Sequence, residues 1–260
     1  MTHKARKRFG QNFLHDPLVI QRIVQAIDPK PGQRLVEIGP GHGAITLPLL
    51  RACRRLEVIE LDRDLIEPLT KKAAGAGELI IHQQDALRFD FSSLTDGEKI
   101  RTVGNLPYNI STPLLFHLLE QSDLLQDMHF MLQREVVDRM AAAAGSADYG
   151  RLSVMIQYHC RVEPLFRVGA RAFRPAPRVE STFVRLVPWP EPPFPVENTE
   201  HLAAVVRQAF SQRRKTLRNA LKGILSEANI RAAGVDPATR PETLGVEQFA
   251  ALADRLTGRS

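Results

Sequence analysis

Short apolar runs alternate with longer mixed segments between residues 16 and 144. Each run is short enough to be a buried strand, and the segments between the runs are long enough for crossover helices or loops. This alternation predicts a parallel sheet with helices on both faces, an α/β fold. The predicted strands are Arg34–Ile38, Leu56–Glu60, Leu79–His82, Ile100–Val103 and Met128–Leu132, and the predicted crossover segments include residues 44–53, 63–73 and 112–121.

The pattern changes twice after residue 150. Three further strands are predicted, extending the same sheet, over Leu152–Tyr158, Val162–Val168 and Ser181–Val187. Residues 188–195 then carry five prolines in eight positions, which excludes a helix or a central strand and indicates a linker. The remaining pattern is helical, over Thr199–Ser211, Lys215–Leu225 and Val246–Leu256.

These changes predict two domains. The α/β domain occupies residues 1–188, of which 1–15 form a basic N-terminal segment. The proline-rich linker occupies residues 189–198, and a small all-helical domain occupies residues 199–260.

The composition is that of an ordinary globular protein, with 43% apolar and 25% charged residues. No apolar run approaches the roughly 18 to 20 residues that span a bilayer, and the basic N-terminus is not followed by a secretory signal. Cys53 and Cys160 stand alone in apolar surroundings, as is typical of a reducing compartment. The sequence therefore predicts a cytoplasmic protein without a membrane segment.

The positive charge is clustered along the chain. Lys and Arg number 35 against 29 Asp and Glu, a formal charge of +6. Residues 4–8 hold four basic side chains before the first acid, residues 161–178 hold five arginines and one acid, and residues 201–222 hold six basic residues and none. Three such clusters fit a polyanion-binding face, although each alone is as well explained as a solvated surface.

A glycine-rich turn follows the first predicted strand. Gly39 and Gly41 lie in Glu37-Ile-Gly-Pro-Gly-His-Gly43, at the mouth of a parallel sheet where such folds bind ligands. Glu60 ends the next strand 21 residues after Gly39, where a carboxylate accepts hydrogen bonds from a ribose. A nucleotide-like ligand is predicted, and both NAD and S-adenosylmethionine fit this pattern.

Asp85 follows the third predicted strand, and its carboxylate is placed to accept a hydrogen bond from the exocyclic amine of an adenine. This position favours S-adenosylmethionine over NAD. Asp also forms turns and helix caps, so a structural role for Asp85 is the alternative.

The sequence Asn105-Leu106-Pro107-Tyr108 after the fourth predicted strand decides between the cofactors. The exocyclic amine of a base is a poor nucleophile, because its lone pair is delocalised into the ring. The Asn105 side-chain carbonyl and the Leu106 backbone carbonyl are acceptors that hold its hydrogens, Pro107 fixes the bend, and Tyr108 offers a ring for stacking. We therefore predict methyl transfer to a base, without a metal ion and without a strong general base.

These motifs resemble those of the ribosomal RNA adenine dimethyltransferases, and the resemblance covers nearly the whole chain. The order and spacing of the blocks make it specific. The matching blocks are Phe9–Leu14, Val36–Gly43, Glu60–Asp62, Asp85–Leu87, Asn105–Thr112, Met131–Glu135, Tyr149–Leu152, Phe173–Val179 and Phe210–Leu221. Gln84 departs from the family, which more often has glycine before the aspartate.

The resemblance implies a Rossmann-like methyltransferase sheet and a role for each site residue. Asn105 would touch both the cofactor and the target amine, and Phe173 would sandwich the target adenine against Tyr108. Gly39 would approach the methionine part of the cofactor, Glu60 the ribose and Asp85 the adenine. The full set implied to bind S-adenosylmethionine is Gln11, Asn12, Leu14, Gly39, Gly41, Glu60, Leu61, Asp85, Ala86 and Asn105.

The resemblance also implies a substrate, namely two adjacent adenosines near the 3′ end of small-subunit (16S) ribosomal RNA in a pre-ribosomal 30S particle. We expect a monomer that contacts RNA phosphates with a basic helix start in the C-terminal domain. The residues concerned are Arg213, Arg214, Lys215 and Arg218.

Three alternatives remain open from sequence alone. The nearest is the related large-subunit methyltransferase class that confers macrolide resistance. The second is an assembly factor or nucleic-acid binder that keeps the fold without turnover, and the third is a dehydrogenase.

Overall fold

The computed structural model describes residues 12–212 and 214–256. The strands are β1 (Phe13–Leu14), β2 (Leu35–Ile38), β3 (Arg55–Ile59), β4 (Glu78–His82), β5 (Ile100–Asn105), β6 (Leu125–Gln133), β7 (Cys160–Val168), β8 (Phe173–Arg174) and β9 (Ser181–Pro188). The α-helices are α1 (Pro17–Ile27), α2 (Thr46–Cys53), α3 (Arg63–Ala73), α4 (Ser111–Leu119), α5 (Arg134–Ala141), α6 (Arg151–His159), α7 (Thr199–Ala209), α8 (Leu217–Ala220), α9 (Glu227–Ala232) and α10 (Val246–Ala253). Within this part of the chain, no helix is long and apolar enough to cross a membrane.

The predicted parallel sheet is confirmed. Seven strands follow the order β4-β3-β2-β5-β6-β9-β7, and the five from β4 to β6 are parallel. β9 pairs with β6 in the antiparallel direction, so the strands predicted at 162–168 and 181–187 do extend the same sheet. A second sheet of two strands joins β1 to β8, which the sequence did not predict.

Local signals in the sequence set the helix starts that matter for the site. Asp16 accepts hydrogen bonds from the backbone N–H groups of Leu18 and Val19 at 2.9 and 3.2 Å, and Pro17 occupies the first helical position of α1. Asp62 caps α3 in the same way through the N–H of Asp64. Each cap fixes the residue at which the extended segment ends and the helix begins.

Two predicted elements are wrong. Leu152–Tyr158 is not a strand but lies in α6, a helix buried along most of its length. An almost wholly apolar segment lacks the alternation that distinguishes a helix from a buried strand, which explains the error. The helix predicted over Lys215–Leu225 is reduced to the four residues of α8, followed by a turn with Gly223 at a φ of 94°.

The structure separates two compact units, and their boundary differs from the predicted one. The first unit runs to Val137 and resumes over Glu163–Pro188, whereas the second comprises Asp138–Val162 and the chain from Trp189 onward. The junction at 188/189 agrees with the predicted linker, but residues 138–162 do not belong with the α/β unit.

The reason lies in the contacts of residues 138–162 with the C-terminal segment. The Tyr149 ring packs edge-on against Phe210, and the Gly145 N–H donates to the Glu242 carbonyl at 2.7 Å. The Trp189 indole donates to the Gln157 carbonyl at 3.1 Å, so the start of the linker is also held. Among the described residues of the second unit, the regular elements are helices, apart from the first residues of β7.

A buried ion pair crosses the sheet of the first unit. Arg101 on β5 donates to both carboxylate oxygens of Asp127 on β6, at 2.9 and 3.1 Å, and to the Ile27 carbonyl at the end of α1. His129 also lies on β6, fully buried, with neither ring nitrogen hydrogen-bonded to any described residue. Its Nδ1 is 3.6 Å from Asp127. Burial lowers the pKa of His129 to about 4, despite the nearby carboxylate.

Candidate active site

A cleft opens in the first unit where β2, β3, β4 and β5 end. The parallel direction of these strands brings their carboxyl ends to one edge, so residues distant in sequence meet there. The structure brings twelve predicted site residues together along this cleft. They are Asn12, Leu14, Gly39, Gly41, Glu60, Leu61, Asp85, Ala86, Asn105, Leu106, Pro107 and Tyr108. Gln11 lies outside the described residues.

Glu60 organises the glycine-rich turn. One of its carboxylate oxygens accepts from the Gly41 N–H at 3.3 Å, and the other accepts from the Asp62 N–H at 2.8 Å. Burial raises the pKa of Glu60, and these two donors oppose the rise. A Cβ on Gly41 would stand 3.1 Å from the Phe13 ring, on a backbone with φ of 56°, so both space and conformation favour glycine there.

Asp85 caps a short helix and also lines the cleft. Its Oδ1 accepts from the Leu87 N–H at 3.0 Å and so caps the short helix Ala86–Arg88. The same half-buried side chain lines the cleft, one strand beyond Glu60. Leu61 also lines the cleft and is 50% exposed, so it offers an apolar surface there.

The side chain of Asn105 is oriented by the N-terminal part of the chain. Its Nδ2 donates to the Asn12 carbonyl at 2.8 Å, so its Oδ1 is left as an acceptor. The Leu106 N–H donates to the Met131 carbonyl at 3.2 Å, which fixes the peptide that follows β5. No described residue donates a hydrogen bond to the Leu106 carbonyl. Neither of these two oxygens on adjacent residues accepts a hydrogen bond from a described residue, and Leu106 is 1% exposed.

Tyr108 stands partly buried at the cleft, and its hydroxyl is 2.8 Å from Ser181 Oγ. Burial raises the pKa of Tyr108, and the contact with Ser181 opposes the rise. The hydroxyl therefore anchors the ring to the start of β9 as a neutral phenol.

The structure does not place Phe173 among the residues that line the cleft. It is 3% exposed, does not line the cleft, and lies in the hydrophobic core with Leu14 and Ala172. The cause is the pairing of β1 with β8, in which Leu14 lies opposite Phe173.

Two of the cleft residues that sequence reasoning did not propose have distinctive surroundings. Phe13 packs its ring against the His42 ring, with centroids 4.1 Å apart. Glu37 on β2 is 1% exposed, and neither of its carboxylate oxygens has a hydrogen-bond partner among the described residues. A carboxylate inside the otherwise apolar strand Leu35–Ile38 is a signal that the sequence did contain.

The side chains of the cleft fit a nucleoside that carries a positive charge. Four carboxyl groups line it, and one of them is buried without a partner. The glycine turn lets a ligand approach the backbone closely. The four acids are Glu37, Glu60, Asp62 and Asp85.

Three of the four predicted RNA-binding residues lie in the described chain. All three are exposed side chains of the second unit, between α7 and the middle of α8, and we call them the C-terminal basic cluster. They are Arg214, Lys215 and Arg218. Arg213 lies outside the described residues.

Comparison with known proteins gives a consistent result. Residues 2–258 match the family model described as ribosomal RNA adenine dimethylase. A relative from Pseudomonas aeruginosa, named ribosomal RNA small subunit methyltransferase A, is 60% identical over 255 residues, which cover 98% of this chain and 95% of the relative.

Two solved structures share the fold over most of their length. A dimethyladenosine transferase from Plasmodium falciparum is 25% identical with a TM-score of 0.75, covering 92% of this chain and 95% of that one. The 23S rRNA methyltransferase ErmE is 26% identical with a TM-score of 0.71, covering 94% and 99%. The predicted methyltransferase fold and enzyme class are confirmed, and the chain belongs to the ribosomal RNA adenine dimethylase family.

Proposed function

We propose that this protein uses S-adenosylmethionine to dimethylate the exocyclic amines of two adjacent adenosines near the 3′ end of small-subunit ribosomal RNA. The observation that carries the proposal is the orientation of Asn105, whose Nδ2 is occupied by the Asn12 carbonyl while its Oδ1 is available at the cleft. The name of the relative from Pseudomonas aeruginosa supports the small-subunit substrate.

The cofactor would lie across the strand ends in a fixed direction. Asp85 would hold the adenine amine, Glu60 the ribose hydroxyls, and the backbone at Gly39 the methionine part. Bound there, S-adenosylmethionine supplies a methyl group activated by its sulfonium charge. Asn12, Leu14 and Leu61 would cover the cofactor, because they line the same cleft.

Asn105 and Leu106 prepare the target amine. Their two carbonyl oxygens accept the amine hydrogens, which draws the nitrogen towards a pyramidal geometry and frees its lone pair for the incoming methyl group. Pro107 restricts the backbone at this bend, so the acceptors are held in place before the base arrives. The proton leaves the product nitrogen only after its charge has formed, so the reaction needs no strong general base.

Tyr108 would hold the target base on its ring face. Its hydroxyl contact with Ser181 fixes the plane of the ring, and stacking tolerates any base that presents a π face. Phe173 would reach the base only if the β1–β8 pair opened, so its proposed contribution in the described conformation is to the core behind Leu14.

The substrate is held largely by its phosphates in this proposal. The C-terminal basic cluster supplies three exposed positive charges, and Arg213 adds a fourth by its place in the sequence. Phosphate contacts provide affinity and orientation, whereas the cleft selects the base. We also propose that the protein acts as a monomer on a pre-ribosomal 30S particle in the cytoplasm, where unpaired cysteines such as Cys53 and Cys160 are typical.

The decisive experiment measures transfer of labelled methyl groups to unmethylated small subunits, free small-subunit RNA and large subunits. We expect dimethyladenosine to form on the small subunit at the highest kcat/KM. Preferred labelling of large subunits would favour the large-subunit methyltransferase class, which the name of the 23S rRNA methyltransferase ErmE supports. RNA binding without any transfer would identify a non-catalytic assembly factor, and binding of NADH in preference to S-adenosylmethionine would identify a dehydrogenase.

A further inference from the structure

The glycine-rich turn is closed by a hydrogen bond of its own backbone. The Gly43 N–H donates to the Pro40 carbonyl at 2.9 Å, and the Gly39 N–H donates to the Ile59 carbonyl at the end of β3, also at 2.9 Å. Gly39, Gly41 and Gly43 all have a positive φ, between 56° and 83°. Because glycine is conformationally permissive, contacts with the surroundings decide which conformation such a turn holds.

One of these contacts comes from a side chain outside the cleft. Lys72, in the last turn of α3, donates through Nζ to the His42 carbonyl at 2.9 Å. His42 lines the cleft, whereas Lys72 is exposed and is not among the lining residues. The peptide that joins His42 to Gly43 is thus held on both sides, its oxygen by Lys72 and its N–H by Pro40. Since a peptide group is planar, two such contacts fix its orientation.

The helix α3 supports the same turn in two further ways. A Cβ on Gly43 would stand 2.8 Å from Cδ1 of Leu69, so this helix packs directly against the turn. At the start of α3, the Asp62 N–H donates to Glu60, whose other carboxylate oxygen accepts from the Gly41 N–H. Both the first and the last turn of α3 are therefore connected to the glycine-rich turn.

We propose that Lys72 is a positioning residue for S-adenosylmethionine, which holds the glycine-rich turn in its binding conformation before the cofactor arrives. This inference rests on the proposed function, in which the backbone at Gly39 binds the methionine part of the cofactor. Ordering a flexible backbone during binding costs free energy, and a turn that is already ordered avoids this cost. Lys72 acts through the His42 carbonyl, so its removal should weaken cofactor binding and leave the transfer step unchanged.

The end of α3 offers a simpler role for this lysine, from which the proposal must be distinguished. Lys71 and Lys72 both lie in the last turn, where a positive charge stabilises the helix. Lys71 pairs with Glu67 one turn earlier, whereas Lys72 reaches His42. Lys71→Met is therefore the matched control, because it removes the same charge and one exposed contact from the same helix end.

The first test is calorimetric titration of the full chain with S-adenosylmethionine. Lys72→Met keeps the apolar stem and removes the ammonium group, and we expect the Kd to rise roughly threefold to tenfold, as for loss of one exposed hydrogen bond from a charged donor. We expect the Kd of Lys71→Met to stay within about twofold of that of the unsubstituted protein. Lys72→Arg should recover most of the affinity, because a guanidinium also donates to a carbonyl. At saturating cofactor, kcat should stay within about twofold in all three variants.

The second test is amide hydrogen exchange, which separates an effect on the free turn from a direct contact with the ligand. In the protein without cofactor, we expect the Gly43 amide to exchange faster in Lys72→Met than in Lys71→Met, because its bond to Pro40 opens more often. Saturation with S-adenosylmethionine should remove this difference.

Three results would overturn the inference while leaving the proposed function intact. They are an unchanged Kd in Lys72→Met, equal weakening in both methionine variants, and Gly43 exchange in the free protein that does not respond to Lys72→Met. An unsubstituted protein that does not bind S-adenosylmethionine would instead overturn the proposed function, and this inference with it.

Discussion

Replacing Asn105 by alanine should separate catalysis from cofactor binding. The substitution removes the Oδ1 acceptor and leaves the Asn12 carbonyl without the donor that lies 2.8 Å away. Loss of one preorganised hydrogen-bonding group at a reacting centre costs about 2.7 to 4 kcal/mol, a decrease in kcat of about a hundredfold to a thousandfold. The glycine turn, Glu60 and Asp85 stay in place, so the Kd for S-adenosylmethionine should change by less than about tenfold.

Single-turnover methyl transfer to unmethylated small subunits measures the first quantity, and calorimetric titration measures the second. Asn109→Ala is the comparison variant, because it removes the same side chain from an exposed position in the same turn, also at the cleft. Among described residues, Asn109 has no hydrogen-bond partner, so its removal should lower kcat far less than removal of Asn105. Asn105→Ala with near-normal turnover would refute the assignment of the amide as the acceptor, and equal losses in both variants would show only that the turn is sensitive.

Three positions and one cluster give further expectations. Tyr108→Phe removes only the hydroxyl contact with Ser181, worth about 1 kcal/mol, whereas Tyr108→Ala also removes the stacking ring, worth roughly 1 to 3 kcal/mol. We therefore expect a larger decrease of kcat/KM in Tyr108→Ala, and equal decreases would indicate that the hydroxyl is required. Phe173→Ala should lower the free energy of unfolding in urea by about 3 to 5 kcal/mol, because Phe173 is a buried aromatic residue of the core. An unchanged urea midpoint together with weaker RNA binding would instead support stacking of Phe173 on the target adenine. The pKa of His129 is about 4 in the folded protein against 6.5 in the unfolded chain, so the unfolded chain binds the proton first as the pH falls. The free energy of unfolding should therefore decrease by up to about 3 kcal/mol between pH 6.5 and pH 4, and the decrease should be smaller in His129→Leu. A His129→Leu protein with the same loss would contradict this. Changing the C-terminal basic cluster to alanine should make the slope of log RNA affinity against log salt concentration shallower by roughly 2 to 3. An unchanged slope would show that these side chains do not contact RNA phosphates.

The sheet could be predicted because each of its strands is marked locally. Apolar runs bounded by turn residues predicted β2 to β6 within a few residues of their ends, and the glycine turn and Asn105-Leu-Pro-Tyr108 predicted which sheet edge carries the cleft. Two acids that follow adjacent parallel strands necessarily lie at the same edge, so Glu60 and Asp85 could be placed together from sequence alone.

The errors arise where the outcome depends on distant parts of the chain. α6 was predicted as a strand because its mostly apolar sequence lacks the alternation that distinguishes a helix from a buried strand. Its helical conformation depends on packing within the second unit, which the local sequence does not show. The burial of Phe173 depends on β1, two residues long and more than 150 positions earlier, which carries no periodicity of its own. Glu37 was visible as an acid inside an apolar strand, but its lack of a partner is a property of the folded cleft.

The short stretch Asn12–Leu14 contacts two parts of the cleft, Asn105 and the glycine-rich turn. The Asn12 carbonyl holds the Asn105 amide, the Phe13 ring packs on His42 beside the glycine turn, and β1 pairs with β8. A cofactor at the glycine turn and a base at Asn105 would therefore bear on the same three residues. Thermodynamic linkage then makes the effect reciprocal: any free energy by which one ligand orders this stretch strengthens the other by the same amount. If both proposed ligands bind there, this stretch would couple the binding of two chemically unrelated substrates within a single unit.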